Sequence, residues 1–237
     1  MTELAAIAIV IVAGLVRGTT GFGGAMFMTP VLSVIFHPIN AVVIALLLET
    51  AAAVVMFPDA LSKARWRTLL FLILPAVVTV PLGGYLLLTL DAGIARKIIS
   101  SVVVVFSSML LFGFRYTGTP RVTTSLALGS VVGALLGATS VGAPPVILYL
   151  LSGPDPIAVT RANLTVFVTA ISVIGLAMLA AAGAINSSLA TTAVLLMIPF
   201  LLSTWLGGKL FGRLRDSSVR RLALGLMLCV GVVSFFM

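Results

Sequence analysis

Charge is what this 237-residue chain has least of: Asp, Glu, Lys and Arg make up 8% of it, against roughly a quarter in a soluble domain. A water-exposed globular surface cannot be built from that supply. Cysteine and histidine occur once each, as Cys229 and His37, which excludes a disulfide framework and any Cys/His metal centre. Acidic residues number 6 against 14 basic ones, a net charge of +8. That excess does not point to nucleic acid, because the basic residues fall in short clusters between long apolar runs, as they do in the cytoplasmic loops of membrane proteins. What the chain has in abundance is hydrophobic residues, at 61%, with a mean hydropathy of +1.29. It reads as a polytopic membrane protein.

The segment Met1–Val16 has no basic residue ahead of its apolar stretch, and Glu3 is acidic. Secretory signals have the opposite charge arrangement, so this is expected to be the first element of the mature protein. Charge, Gly and Pro divide the chain into ten apolar elements, at 3–16, 23–36, 39–58, 66–89, 93–114, 123–137, 143–152, 157–183, 187–211 and 218–236. Crossing the hydrocarbon takes about 20 apolar residues, and 3–16, 23–36, 123–137 and 143–152 fall short. At about ten to fifteen residues each they make roughly 15–22 Å of helix. They either reach halfway and turn back or tilt and pair as thin spans.

These short elements occupy corresponding places in an internal repeat. Thr20-Gly21-Phe22-Gly23-Gly24-Ala25 aligns with Ala138-Thr139-Ser140-Val141-Gly142-Ala143 at an offset of 118, which also relates Pro38 to Pro156. Leu82-Gly83-Gly84 matches Leu206-Gly207-Gly208, and Arg96-Lys97 matches Arg220-Arg221, at an offset of 124. The expected fold is an all-α polytopic membrane protein of two inverted repeats, each a short broken or re-entrant helical hairpin plus three transmembrane helices. The first repeat covers 1–118 (hairpin 3–36; spans 39–58, 66–89, 93–114). The second covers 119–237 (hairpin 123–152; spans 157–183, 187–211, 218–236).

Orientation follows from the basic residues. A hairpin plus three spans is an odd number of crossings, so the halves are inverted. With Lys63, Arg65 and Arg67 inside, Arg115, Arg121, Arg161, Lys209, Arg213, Arg215, Arg220 and Arg221 also fall inside, eleven of the 14 basic residues. Only Arg96 and Lys97 fall outside, and Arg17 lies within the first hairpin. Both termini are expected to be extracytoplasmic.

The chemistry concentrates at the hairpin turns. Arg17-Gly18-Thr19-Thr20-Gly21-Phe22-Gly23-Gly24 interrupts the first apolar run, and Gly137-Ala138-Thr139-Ser140-Val141-Gly142-Ala143-Pro144-Pro145 the second. Irregular chain at membrane depth must be buried in protein or line a wet cavity. Thr and Ser are preferred N-caps and proline suits a first helical turn. Thr139/Ser140 ahead of Pro144-Pro145 therefore read as the start of an inward-pointing helix, with Thr19/Thr20 and glycines doing the same in the first half. Two such N-termini facing each other would offer free N–H groups and partial positive charge to an anion, and Gly21, Gly23, Gly24 and Gly142 would let backbone approach it. Tight helix packing by these glycines is the plainer alternative.

Arg17 and Glu49 are charges out of place in lipid, where burial costs roughly 2.5–3.5 kcal/mol on insertion scales. Arg17 is expected to supply charge to an anion, and Glu49 to pair with Arg17 or to carry a coupling proton. A static pair that locks the hairpin remains open as an alternative. Asn163, after Arg161, lines an access path or makes an ordinary interhelical hydrogen bond. Asp59, Asp91, Asp155 and Asp216 lie at span ends and call for no function, His37 reads as a solvated loop residue, and Cys229 as packing.

The hairpin Gly14–Pro30 (GLVRGTTGFGGAMFMTP) and its partner Gly137–Leu151 (GATSVGAPPVILYLL), with Arg161-Ala162-Asn163-Leu164, resemble the paired signatures of the sulfite exporter TauE/SafE family. The resemblance implies a bacterial-type inner-membrane transporter of small anions, often sulfur-containing ones such as sulfite, sulfoacetate or other organosulfonates. One departure stands out: the second signature commonly reads Gly-Gly-Pro-Pro, and here it is Gly142-Ala143-Pro144-Pro145. The added methyl narrows the surface that a ligand can approach, which bears on which anion is carried.

The function expected is therefore secondary transport of a small anion bound between facing helix N-termini at mid-membrane, by alternating access. A passive anion channel of the same architecture is the alternative. An intramembrane serine protease would need a Ser–His pair and an aspartyl protease two facing aspartates; neither is in place, so no enzyme is expected. No cofactor or metal is called for. The expected partners are the anion, the bilayer, a coupling proton or sodium ion and, for so thin a protein, a second copy in a homodimer.

Overall fold

The computed structural model describes residues 2–114, 116, 118, 121–153, 155–211 and 217–237, without the side chains of 2, 55–56, 59, 157, 210–211 and 217–220. Arg115, Arg213, Arg215 and Asp216, and the side chains of Asp59 and Arg220, lie outside the described residues.

Ten α-helices form among the described residues: α1 (Thr2–Thr20), α2 (Gly24–Ile35), α3 (Pro38–Lys63), α4 (Trp66–Thr89), α5 (Ala92–Leu111), α6 (Val122–Thr139), α7 (Ala143–Leu150), α8 (Ile157–Ala181), α9 (Ser187–Phe211) and α10 (Ser217–Phe236). No strand occurs among them. Each helix corresponds to one expected apolar element. Proline at the first position of α3 and Asp91 accepting from Gly93 N–H at 2.8 Å ahead of α5 are ordinary helix starts.

Two of the short elements are longer than expected. The run expected at 3–16 continues to Thr20, and that at 123–137 to Thr139, making helices of 19 and 18 residues. Thr19 and Thr20 both return their hydroxyls to the Val16 carbonyl at 2.8 Å, and Thr139 returns its own to Leu135 at 2.7 Å, so these threonines are satisfied inside a helix. At 1.5 Å per residue such helices measure roughly 27–28 Å, about the hydrocarbon thickness. Only α2, with 12 residues, and α7, with 8, stay short. By length and composition α1, α4, α5, α6, α8 and α9 can each cross a membrane.

The bundle has apolar residues on its outside as well as its inside. Leu74, Val78 and Leu82 on α4 and Leu195, Ile198 and Leu202 on α9 are all exposed, while Ser100, Ser107, Thr160 and Asn163 are buried. This suits a lipid surround, with polar side chains turned inward.

α3 and α8 pack against each other at the centre, α4 lies along α6, and α1 along α9. The last two seams are built on small residues. A methyl added at Gly129, Gly133 or Gly137 of α6 would strike the α4 backbone at Leu72, Ala76 or Val80, and one at Gly14 or Gly18 of α1 would strike α9 at Ser203 or Thr204. Small residues four apart let two helix backbones come this close. Gly83 of α4 meets the Ala134 carbonyl, and Gly207 of α9 meets the Leu15 carbonyl. The glycine pair repeats at the offset of 124 read from Leu82–Gly84, and its partners repeat at 119.

Candidate functional site

Both hairpin turns are built alike. At the end of α1, Gly21 N–H donates to the Arg17 carbonyl at 2.7 Å, and Phe22 N–H to Thr20 Oγ1 at 3.3 Å. At the end of α6, Ser140 N–H donates to the Leu136 carbonyl at 2.8 Å, and Val141 N–H to Thr139 Oγ1 at 3.2 Å. Gly21 and Ser140 both take the left-handed conformation that closes a helix, with φ of 80° and 59°. Every matching atom pair is 119 residues apart, one residue off the alignment of Thr20–Ala25 with Ala138–Ala143.

This geometry corrects the expected capping. The residues preceding α2 and α7 are Gly23 and Gly142, and neither helix start has a side-chain cap. Thr19, Thr20 and Thr139 close the preceding helices instead, because each hydroxyl finds a carbonyl one turn back in its own helix, i−3 for Thr19 and i−4 for Thr20 and Thr139, before it reaches the next helix.

The α2 start has an acceptor of another kind. Glu49, reaching across from α3, accepts from Ala25 N–H at 2.9 Å through Oε1, and its Oε2 pairs with the Arg17 guanidinium. Glu49 is buried and Arg17 nearly so, at 7% and 12% relative exposure. The helix N-terminus expected to hold a foreign anion is thus filled by the chain's own carboxylate. Gly24 makes this approach available, since a methyl there would collide with Glu49 Oε1.

Around this pair lies a small cleft that residues from both turns line. Of the expected residues, Arg17, Gly21, Phe22, Gly23 and Glu49 line it from the first half, and Ser140, Val141, Gly142, Ala143 and Pro144 from the second. The starts of α2 and α7 therefore share one cavity. Thr29 Oγ1 and Ser140 Oγ, 2.7 Å apart, tie the two hairpins together beside it.

Other expected residues stand behind the wall. Gly18 packs on α9 near Thr204 and Gly208, Gly24 backs Glu49, and Thr19, Thr20 and Thr139 are held by their own helices. Asn163 Oδ1 accepts from Arg65 N–H at 2.8 Å, next to an Arg65–Asp155 ion pair at 2.6 Å. Asn163 thus makes the hydrogen bond between segments, and Asp155, expected to be idle, joins the α3–α4 connection to the approach to α8. Cys229, expected to pack, is exposed.

Sequence reasoning missed Ala25, Met26, Ala53, Leu136, Leu164, Thr165, Val168 and Ser172 in the lining. Three of them follow from the repeat once the matched turns fix its offset at 119. Leu136, Val168 and Ser172 sit 119 residues after Arg17, Glu49 and Ala53, all cleft residues. Glu49 lies eleven residues beyond Pro38, where α3 starts, and Val168 eleven beyond Ile157, where α8 starts. The cleft is at mid-length of both central helices.

Apolar helices wrapped around a small ion-paired cleft, where two hairpins meet, mark a multi-pass membrane protein. The chain belongs to the sulfite exporter TauE/SafE family, whose description, "Sulfite exporter TauE/SafE", matches residues 6–234. It is accordingly a membrane transport protein of an anion-exporter family and not an enzyme. No curated protein and no solved structure matches the chain.

Proposed function

We propose that this protein is a secondary transporter of a small sulfur-containing anion (sulfite, sulfoacetate or another organosulfonate) in the cell inner membrane, working by alternating access with both termini extracytoplasmic. The observation that carries this reading is the buried Arg17–Glu49 pair inside the cleft shared by the two turns. Charge at this depth is costly unless it is paired or used. Glu49 is a tethered anion occupying the seat an anionic substrate would take, on Arg17 and on Ala25 N–H.

Arrival of the substrate anion displaces Glu49 from Arg17. The released carboxylate is then free to carry a coupling proton. Substrate and coupling proton then travel together; a sodium ion at the freed carboxylate is the other coupling partner to test. The repeats 1–118 and 119–237 supply the rocking units, a reading supported by the matched turns and by the exchanged packing of α1 on α9 and α6 on α4. A homodimer would widen so thin a bundle.

Purified protein in proteoliposomes tests this. Sulfite efflux should be saturable and show counterflow, and Arg17→Gln and Glu49→Gln should each abolish it at equal membrane abundance. Undiminished flux in both variants would sink the role of the pair. Unitary currents in place of counterflow would favour a passive anion channel.

A further inference from the structure

The cleft is lined by equivalent positions of the two halves, yet the halves differ in chemistry at four of them. Arg17 is matched by Leu136, Glu49 by Val168, Ala25 by Pro144 and Ala53 by Ser172, each 119 residues on, and all eight line the same cavity. These replacements are coordinated. Pro144 has no N–H, so the amide that Ala25 donates to Glu49 has no counterpart at the start of α7. With no such donor, no carboxylate is needed at 168, and with no carboxylate, no cation is needed at 136. Leu136 and Val141 are 1% exposed and Leu164 is 6% exposed, so this wall is continuous with the packed interior.

We propose that Leu136, Pro144 and Val168 form an apolar subsite for the uncharged end of the substrate, and that Val168 and Leu136 determine its specificity. This rests on the transporter reading and narrows its cargo to sulfonates with an uncharged tail, ahead of sulfite and sulfoacetate. The acid group sits at the Arg17 side, where the only cation among the described lining residues stands, and the remainder of the molecule lies against the second half. An inorganic dianion, with charge all round, would meet Leu136 and Val168 without a partner for its far oxygens, and burying such oxygens unpaired is unfavourable. A monoanion with a short alkyl tail meets a partner of its own kind at each end. Ser172 and Thr165, on the same α8 face of the cleft, leave room for a hydroxyl-bearing or hydrated tail.

Counterflow competition with full-length protein in proteoliposomes tests this, using sulfate, sulfite, methanesulfonate, ethanesulfonate and propanesulfonate. Apparent affinity should rise about fourfold per added methylene along the sulfonates, with sulfate weakest. Val168→Phe and Leu136→Phe should lower the propanesulfonate-to-sulfite affinity ratio at least about tenfold. The readout is a ratio, so a general loss of flux does not imitate it, and the wild-type series decides the matter even if a variant does not fold. Sulfite transport with no dependence on chain length, or a ratio unmoved by both variants, would overturn the subsite and leave the transporter standing. Absence of flux for every anion would overturn the transporter reading, and the subsite with it.

Discussion

Thr29 Oγ1 and Ser140 Oγ, 2.7 Å apart and buried, bridge α2 to the turn that ends α6. Ser140 Oγ also reaches the Thr139 carbonyl at 2.5 Å, so one hydroxyl links the turn's own backbone to the neighbouring hairpin. Thr29→Val should cost about 1 kcal/mol, the net worth of one buried hydrogen bond. Ser140→Gly loses the same bond but relieves a left-handed backbone at φ 59°, a strain of roughly 1–2 kcal/mol. Thermal unfolding in detergent should therefore show Thr29→Val melting lower than wild type and Ser140→Gly close to it. Equal losses in the two would mean that the strain at 140 is not released.

The Arg17–Glu49 pair separates folding from function. Removing one partner leaves an uncompensated buried charge, at a cost of about 3–5 kcal/mol. The second half of the same cleft already shows what fills these positions without charge, Leu136 and Val168. The double replacement Arg17→Leu with Glu49→Val should recover most of the stability lost in either single variant, while sulfite flux stays absent. Wild-type flux in the double variant would mean that the pair only locks the hairpin.

The α4–α6 seam depends on bare backbone. A methyl on Gly137 would press on the Val80 carbonyl, whereas one on Gly225 of α10 would meet nothing within 4 Å. Gly137→Ala should lower folded yield and melting temperature by the cost of a shifted helix, roughly 1–3 kcal/mol. Gly225→Ala should be neutral or better, since Ala favours a helix over Gly by about 1 kcal/mol. Both are read by thermal unfolding in detergent.

How much of this was legible in the chain varies with the physics involved. Helix positions followed from apolar run length and the Gly/Pro breaks, and all ten were found. The ends of α1 and α6 were misplaced because Gly18 and the polar run Thr19-Thr20 look like a break, while in lipid a Thr hydroxyl can simply bond back to its own helix. Arg17 and Glu49 stood out because charge is scarce, and their approach needed only two helices to meet. Leu136 and Val168 were invisible as site residues, since a Leu or Val in an apolar span carries no signal by itself. They become readable only once the turns fix the repeat offset at 119 through matched hydrogen bonds.

The link between the α3–α4 connection and α8 has a strong and a weak part. Arg65 is 57% exposed on its side chain, and an ion pair so open to solvent contributes under about 1 kcal/mol. Asn163 is fully buried and receives Arg65 N–H, so its loss leaves a backbone donor unpaired, at about 1–3 kcal/mol. Asn163→Ala should thus destabilise more than Asp155→Asn, as read from melting temperatures at two salt concentrations. Only the Asp155 effect should shrink at high salt.

Orientation is the remaining expectation that one labelling series decides. Cys229 is the single cysteine and is exposed, so Cys229→Ser gives a clean background. His37, Ser62 and Ser188 are exposed at helix ends, and His37→Cys, Ser62→Cys and Ser188→Cys leave every Lys and Arg in place. Clustered Lys and Arg hold loops on the cytoplasmic side, and eleven of the 14 lie on the side of Lys63 in the inverted arrangement. A membrane-impermeant maleimide applied to intact cells should therefore label positions 37 and 188, and should label 62 only after permeabilisation. The reverse pattern would put the termini inside. Labelling of 37 without 188 would break the inversion itself, and with it the idea that the two turns approach the cleft from opposite faces.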